Sequence, residues 1–252
     1  MYLNKIALVF SASLFALAGC SASPEAADDG AEETEASADE LQAGAYTYYV
    51  ARRDLRRCVA PLCGGFWVSR VNRDTTRCAD GSYAPECYVT DLDLSKLRLD
   101  AAEQDVRDAV GMSTETTRAV LRGVMRSETH PSFGKLGRFR ATEAWTARGD
   151  AAITGTFFKV SDSGIRCITF PCPSVREIKL NASSRANVSG LDLDAAPGTA
   201  DDKDAARSAL YGEGLLVAGD NVPGAKGPAG VGTSLAASQY FLRAQARGPA
   251  AR

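Results

Sequence analysis

A chain of 252 residues with a single histidine has little of the usual acid and base apparatus. That residue, His130, precedes a proline in Thr129-His130-Pro131-Ser132, where a surface loop is expected. One imidazole allows neither a multi-histidine metal site nor two histidines sharing acid and base roles. The sequence also lacks a Gly-x-Ser-x-Gly elbow, a phosphate-binding P-loop, a dinucleotide glycine fingerprint and a Cys-x-x-Cys redox pair. No cofactor is implied, and no catalytic constellation is visible. Long apolar runs are missing too. The longest, Ile6 to Leu17, is too short to cross a bilayer as a helix.

That run is instead what a signal peptide requires: one Lys5, an apolar core, then small residues. Leu17-Ala18-Gly19-Cys20 resembles the bacterial lipobox, which implies cleavage before Cys20 and lipidation of that residue. Residues 1–19 are expected to be removed, and several acyl chains on Cys20 to exceed what stable anchoring needs. Ser21, where an Asp would favour the inner membrane, points to the outer membrane. The membrane is thus the first expected partner.

Residues 20–44 continue with eight carboxylates and no basic or aromatic residue, the composition of a disordered, self-repelling tether. With Lys5 and those eight set aside, 28 basic residues stand against 23 acidic ones in the rest of the chain. So small and dispersed an excess does not argue for nucleic acid. The group Arg52, Arg53, Arg56 and Arg57 reads first as a solvated strand edge rather than a polyanion site.

The remainder has internal symmetry. A shift of 109 positions places Thr47-Tyr48-Tyr49 on Thr156-Phe157-Phe158, Arg57-Cys58 on Arg166-Cys167, Cys63 on Cys172 and Val71-Asn72 on Leu180-Asn181. The match resumes at 99, with Leu92-Asp93-Leu94 on Leu191-Asp192-Leu193, so the first copy holds an insertion, Cys78 to Cys87. Two copies are therefore expected, at 45–150 and 151–247, with 248–252 as a disordered tail. The second copy contains only Cys167 and Cys172, which must pair with each other. By correspondence Cys58 pairs with Cys63, and the insertion closes through Cys78 and Cys87. Export supplies the oxidising compartment. Rings this small contribute about 2 to 3 kcal/mol each, which stiffens loops more than it holds the fold. The spacings do not fit zinc knuckles, so no metal is expected.

Apolar alternation marks strands at Ala45–Arg52, Gly65–Asn72, Cys87–Leu94, Arg118–Arg126 and Gly137–Arg148, with a helix at Ala101–Val110 capped by Asp100. The second copy repeats this order at Ala152–Val160, Val175–Asn181, Ala186–Leu193, a helix near Asp201–Leu210, Gly214–Ala218 and Ser234–Arg247. The expected fold is mainly β (α+β): a tandem duplication of a β-β-β-α-β-β unit forming one pseudo-twofold barrel or sandwich with two short helices. Gly149-Asp150 is expected to turn a hairpin between the copies, and Asn221–Gly232, rich in Gly and Pro, to form a mobile loop.

Asp91 and Asp93 lie two apart on one strand face, with Asp192 and Asp194 alike in the second copy. They are candidates for a cation or for half of a glycosidase acid pair, though the stronger reading has them facing water while Leu92 and Leu94 enter the core. Tyr46, Tyr48, Tyr49, Phe66, Trp67, Tyr83 and Tyr88 crowd the first copy. Packing accounts for most of them, but Trp67 and Tyr83 are candidates for a recognition surface.

The run YYVARRDLRRCVAPLCGGFWVSRVN, followed by TTRCADGSYAPECYV, resembles an uncharacterised domain family of predicted bacterial lipoproteins. The resemblance covers most of Ala45–Arg247 through its paired cysteines and Gly64-Gly65, and it implies no activity. The expected function is a lipid-anchored envelope protein acting as a non-catalytic binding or structural module toward an envelope protein or glycan. The alternative is a protease inhibitor presenting Val59-Ala60-Pro61-Leu62 or Ile168-Thr169-Phe170-Pro171.

Overall fold

A computed structural model describes residues 47–99, 101–113 and 116–245. The expected signal peptide, Cys20, the tether, Tyr46, the Asp100 cap and the tail lie outside these residues. Among the described residues the first half runs β1 (Thr47–Arg53), β2 (Phe66–Arg70), β3 (Thr76–Arg77), β4 (Tyr83–Ala84), β5 (Cys87–Val89), β6 (Asp91–Asp93), a 3-10 turn (Ser95–Leu97), α1 (Ala101–Met112), β7 (Ala119–His130) and β8 (Gly134–Ala147). The second runs β9 (Thr156–Asp162), β10 (Val175–Lys179), β11 (Arg185–Val188), β12 (Gly190–Asp192), α2 (Ala200–Ala209), β13 (Leu215–Gly227) and β14 (Gly230–Arg243). The chain is mainly β with two short helices. All strands but the β3–β4 ribbon join one sheet in the order β11-β10-β9-β13-β14-β8-β7-β1-β2-β5, with β12 beside β14 and β6 beside β8.

That sheet has two ends and is not closed into the expected barrel. Its order reads the same outward from the β8–β14 seam, and the registers agree residue by residue. Tyr49 faces Arg70 and Leu121, while Phe158 faces Lys179 and Val217. Leu92 runs parallel beside Phe139, as Leu191 does beside Leu235. Both long hairpins have a bulge at the corresponding residue, Thr142 and Ser238, whose hydroxyls donate to the carbonyls of Arg122 and Ala218, each at 3.1 Å.

Packing explains why the strands read as they do. On β7, Ala119 and Leu121 enter the first core while Val120 turns the other way, and on β13 Leu215 and Val217 enter the second core while Leu216 turns away. Strands covered on both faces lose their alternation. Helix α1 buries Ala102, Val106, Ala109 and Val110 against the first sheet, the spacing of one helical face. Helix α2 begins with a capping box between Thr199 and Asp202 and buries Ala206. A third core forms where the halves meet, from Val71, Val120 and Trp145 of one half and Leu180, Leu216 and Phe241 of the other. Burying side chains of this size contributes about 1.5 to 3 kcal/mol apiece.

Two asparagines close that third core. The Asn72 amide donates to the Phe157 and Leu180 carbonyls at 2.8 and 2.9 Å and accepts from the Phe157 N–H at 2.9 Å. Asn181 returns the same set, donating to the Tyr48 and Val71 carbonyls at 2.7 and 2.9 Å and accepting from the Tyr48 N–H at 2.8 Å. Both adopt φ of 57°, a left-handed backbone that asparagine tolerates better than most residues.

Several expectations change. Gly149-Asp150 turns no hairpin, because β9 already has β10 and β13 as neighbours, and the halves join through β8 and β14 instead. The Gly149 carbonyl accepts from the Gln239 amide at 3.2 Å, tying the link to β14. Asn221–Gly232 is a paired hairpin, not a loop: Lys226 faces Val231 and Gly227 faces Gly230, while a register shift after Pro223 accommodates the missing donor. Cys87–Leu94 is broken at Thr90, whose N–H leaves for the Gly137 carbonyl at 2.8 Å, so β5 pairs with β2 and β6 with β8. The first long hairpin likewise extends through His130, whose Nδ1 accepts from the Ser132 N–H at 3.2 Å.

Because each amide satisfies three groups of the opposite half, Asn72→Ala and Asn181→Ala should each cost about 2 to 4 kcal/mol, and by similar amounts. Urea unfolding of the two variants measures this, and a neutral result for either would remove the reciprocal role.

Candidate functional site

Three bridges join the six cysteines of the described residues, Cys58–Cys63, Cys78–Cys87 and Cys167–Cys172, the pairs expected from the sequence. The first crowns the most organised surface cluster of the molecule. Strand β1 delivers Arg52 and then ends where the Asp54 N–H donates to the Gly65 carbonyl at 2.9 Å, closing the neck of the clasped loop. Arg52, Trp67 and Tyr88 are cross-strand neighbours on β1, β2 and β5, so their side chains share one sheet face. Gly65 passes so close to β5 that a Cβ would lie 2.2 Å from the Val89 carbonyl oxygen. Any other residue there would push the loop away from Tyr88.

Arg56 is the centre of the cluster. Its guanidinium grips Asp54 through Nε–Oδ1 at 3.0 Å and Nη2–Oδ2 at 2.9 Å, and Nη2 also donates to the Leu62 carbonyl at 3.0 Å. It lies 4.7 Å from the Trp67 ring centroid and 5.3 Å from that of Tyr88, while Arg52 approaches Trp67 at 5.7 Å. Trp67 and Tyr88 meet edge to face at 5.5 Å. Tyr88 donates its hydroxyl to the Pro61 carbonyl at 2.8 Å and accepts from the Gly65 N–H at 3.2 Å. Glu86 holds Arg52 from the other side, with Nε–Oε2 at 3.1 Å.

Asp54 is 3% exposed and would be costly to bury alone. The side-chain bond from Arg56 outweighs desolvation and holds its carboxyl down at about 2. In Tyr88 burial is the leading cause and pushes the phenol up.

The other candidates lie elsewhere. Tyr83 is 57% exposed on the β3–β4 ribbon opposite Arg77. Asp91 and Asp93 project from β6 onto β8, where Arg138 and Arg140 meet them at 3.1 and 3.2 Å. The Ser95 hydroxyl, with Arg140 adding, holds the Asp93 carboxyl below the usual range. These carboxylates are engaged in ion pairs and not in a pocket with Trp67. Sequence reasoning picked out Trp67 but read the arginines as a solvated strand edge, and it missed Asp54, for which the Arg-Arg-Asp-Leu-Arg-Arg context was the available signal, and Glu86, which lies outside that run.

The second half has no such platform, since Arg176 stands where Trp67 does and Asn187 where Tyr88 does. Its clasp has an Arg166–Asp162 fork at 3.0 and 2.9 Å beside a groove of about 310 Å³ lined by Ile165, Leu210 and Tyr211. A larger cleft, about 550 Å³, lies between α1 and the β8–β14 seam. Its arginines are already braced, Arg118 by Asp150, Arg148 by Asp202 and Arg243 by Glu213. Among the described residues no group of three His, Cys, Asp or Glu side chains could hold a metal ion. In the first clasp the Leu62 N–H donates to the Val59 carbonyl at 3.0 Å, so the segment forms a turn rather than the extended strand a protease would read.

The family described as Domain of unknown function (DUF6748) matches residues 47–247. The chain belongs to this family. No curated protein and no solved structure matches it. The DUF6748 match takes in both halves and the platform.

Since the folded Asp54 carboxyl titrates below its unfolded value of about 4, its stabilising effect is complete above that pH and fades as pH falls toward 2. Asp54→Asn should therefore be less stable than the parent at neutral pH, with the gap narrowing in acid. Urea midpoints across that range test this, and a pH-independent gap would count against it.

Proposed function

We propose that this chain is a lipid-anchored protein of the bacterial envelope, placed at the outer membrane, that acts as a non-catalytic binding or structural module. The observation that carries the reading is the Asp54–Arg56–Trp67–Tyr88 platform. It offers a planar cation stacked on aromatic rings, held rigid by a disulfide-closed loop, which lowers the ordering cost of an encounter. Arg56 and Arg52 keep 51% and 43% of their side chains exposed, so the platform faces outward. Anchoring rests on Lys5, the apolar run Ile6–Leu17 and the lipobox-like Leu17-Ala18-Gly19-Cys20.

We further infer that the two halves descend from one duplicated unit. The equal registers, the shared hairpin bulges and the reciprocal asparagines support it. On this reading the first copy diverged to carry the platform and the Cys78–Cys87 insertion, and the second retained the bare clasp.

Cys20→Ala should abolish incorporation of labelled fatty acid into the protein, and incorporation equal to the parent would remove the anchoring reading. Cross-linking in intact cells should recover an envelope component from the parent, and Arg56→Ala combined with Trp67→Ala should reduce that recovery at least about tenfold. No recovered component, or recovery that ignores the platform, would overturn the binding reading.

A further inference from the structure

The binding reading leaves one part of the first clasp unexplained. Arg53 and Arg57 are exposed and pair with no carboxylate among the described residues. In the second half the corresponding positions are Asp162 and Arg166, which form the bidentate ion pair described above. Where one half neutralises a charge, the other places two charges of the same sign. Neither guanidinium is offset by a carboxylate among the described residues, so both are open to an anion from outside.

The same loop also exposes aliphatic side chains. Leu55, Val59 and Leu62 are 68%, 73% and 42% exposed. Neighbouring contacts fix the loop that presents them: the Cys58–Cys63 bridge, the Arg56–Asp54 fork and the Tyr88–Pro61 hydrogen bond. Aliphatic tips beside unpaired arginines suit a surface that is anionic at its face and apolar just below it. Arginine stems lie along the apolar layer while their guanidiniums stay at phosphate depth. A purely polar anion would leave Leu55, Val59 and Leu62 in water.

We propose that the first clasp docks on an anionic lipid surface, with Arg53 and Arg57 on headgroup phosphates and Leu55, Val59 and Leu62 at the acyl boundary. This rests on the binding reading above and names the partner of the same loop. The second clasp serves as an internal control. It exposes Ile168 and Phe170, but its arginine is already paired.

The test uses residues 20–252 carrying Cys20→Ala, the chain expected after cleavage, so that neither an acyl group nor the apolar run Ile6–Leu17 anchors it, and vesicles of phosphatidylcholine with or without phosphatidylglycerol. Co-sedimentation should occur with the anionic vesicles only and fall as salt rises. Arg53→Glu with Arg57→Glu should lower it at least about tenfold, and Val59→Asp with Leu62→Asp should also lower it, whereas Ile168→Asp should not. Unchanged urea midpoints show that these surface variants remain folded. Equal sedimentation with both vesicle types, or variants that bind as the parent does, would overturn the proposal. If vesicles are ignored while an envelope protein or glycan still cross-links through Trp67, the lipid assignment fails and the binding reading stands. If neither is seen, both fail.

Discussion

The exchange of side-chain amides between Asn72 and Asn181 is the constraint on which the joined sheet depends. Among the described residues the β8–β14 seam is short, pairing Phe241 with Ala147, Leu242 with Thr146 and Arg243 with Trp145, with one further bond from the Ala244 N–H to the Ala144 carbonyl at 2.8 Å. So short a seam would leave the outer faces of the two halves free to hinge. The asparagines prevent this by satisfying backbone groups of the opposite half at the ends of the strands that flank Val71 and Leu180. With those strand ends fixed, Trp145 and Phe241 are sealed in a common core. Each half is thus completed by the other, and neither buries both faces of its long strands alone.

Against that shared framework the halves differ at many positions, and some of those differences separate the two clasps. Val68 in the first core is matched by Glu177 in the second, whose carboxylate accepts from Asn221 at 2.7 Å. Trp67 is matched by Arg176, and Arg53 by Asp162. The first clasp carries an aromatic platform and, among the described residues, two arginines without a carboxylate partner. The second closes on itself, with the Phe170 carbonyl accepting from the Ala229 N–H at 3.0 Å.

Much of the element order was legible from residues because alternation and cysteine spacing are local. The cysteine pairs followed from the correspondence of the halves, because the second contains only Cys167 and Cys172. The Gly149 link and the Asn221–Gly232 hairpin were misread for one reason: glycine and proline state what the backbone can do, not which strand lies alongside. The platform was half legible. Arg52, Arg56 and Trp67 stood out by type, but the roles of Asp54 and Glu86 depend on strands that meet only after folding. Asp91 and Asp93 show the converse, a noticeable spacing that the neighbouring β8 arginines turn into ordinary ion pairs.

By itself the sequence determined the β-rich character, the correspondence of the halves, the three clasped loops and the N-terminal lipobox pattern, because each depends on periodicity or spacing within a short stretch. The tertiary structure decided that the sheet stays open, that the halves meet through β8 and β14, and that Arg56 lies over Trp67 and Tyr88. Those outcomes depend on contacts between residues far apart in the chain, where register and burial, and not local preference, choose the partner.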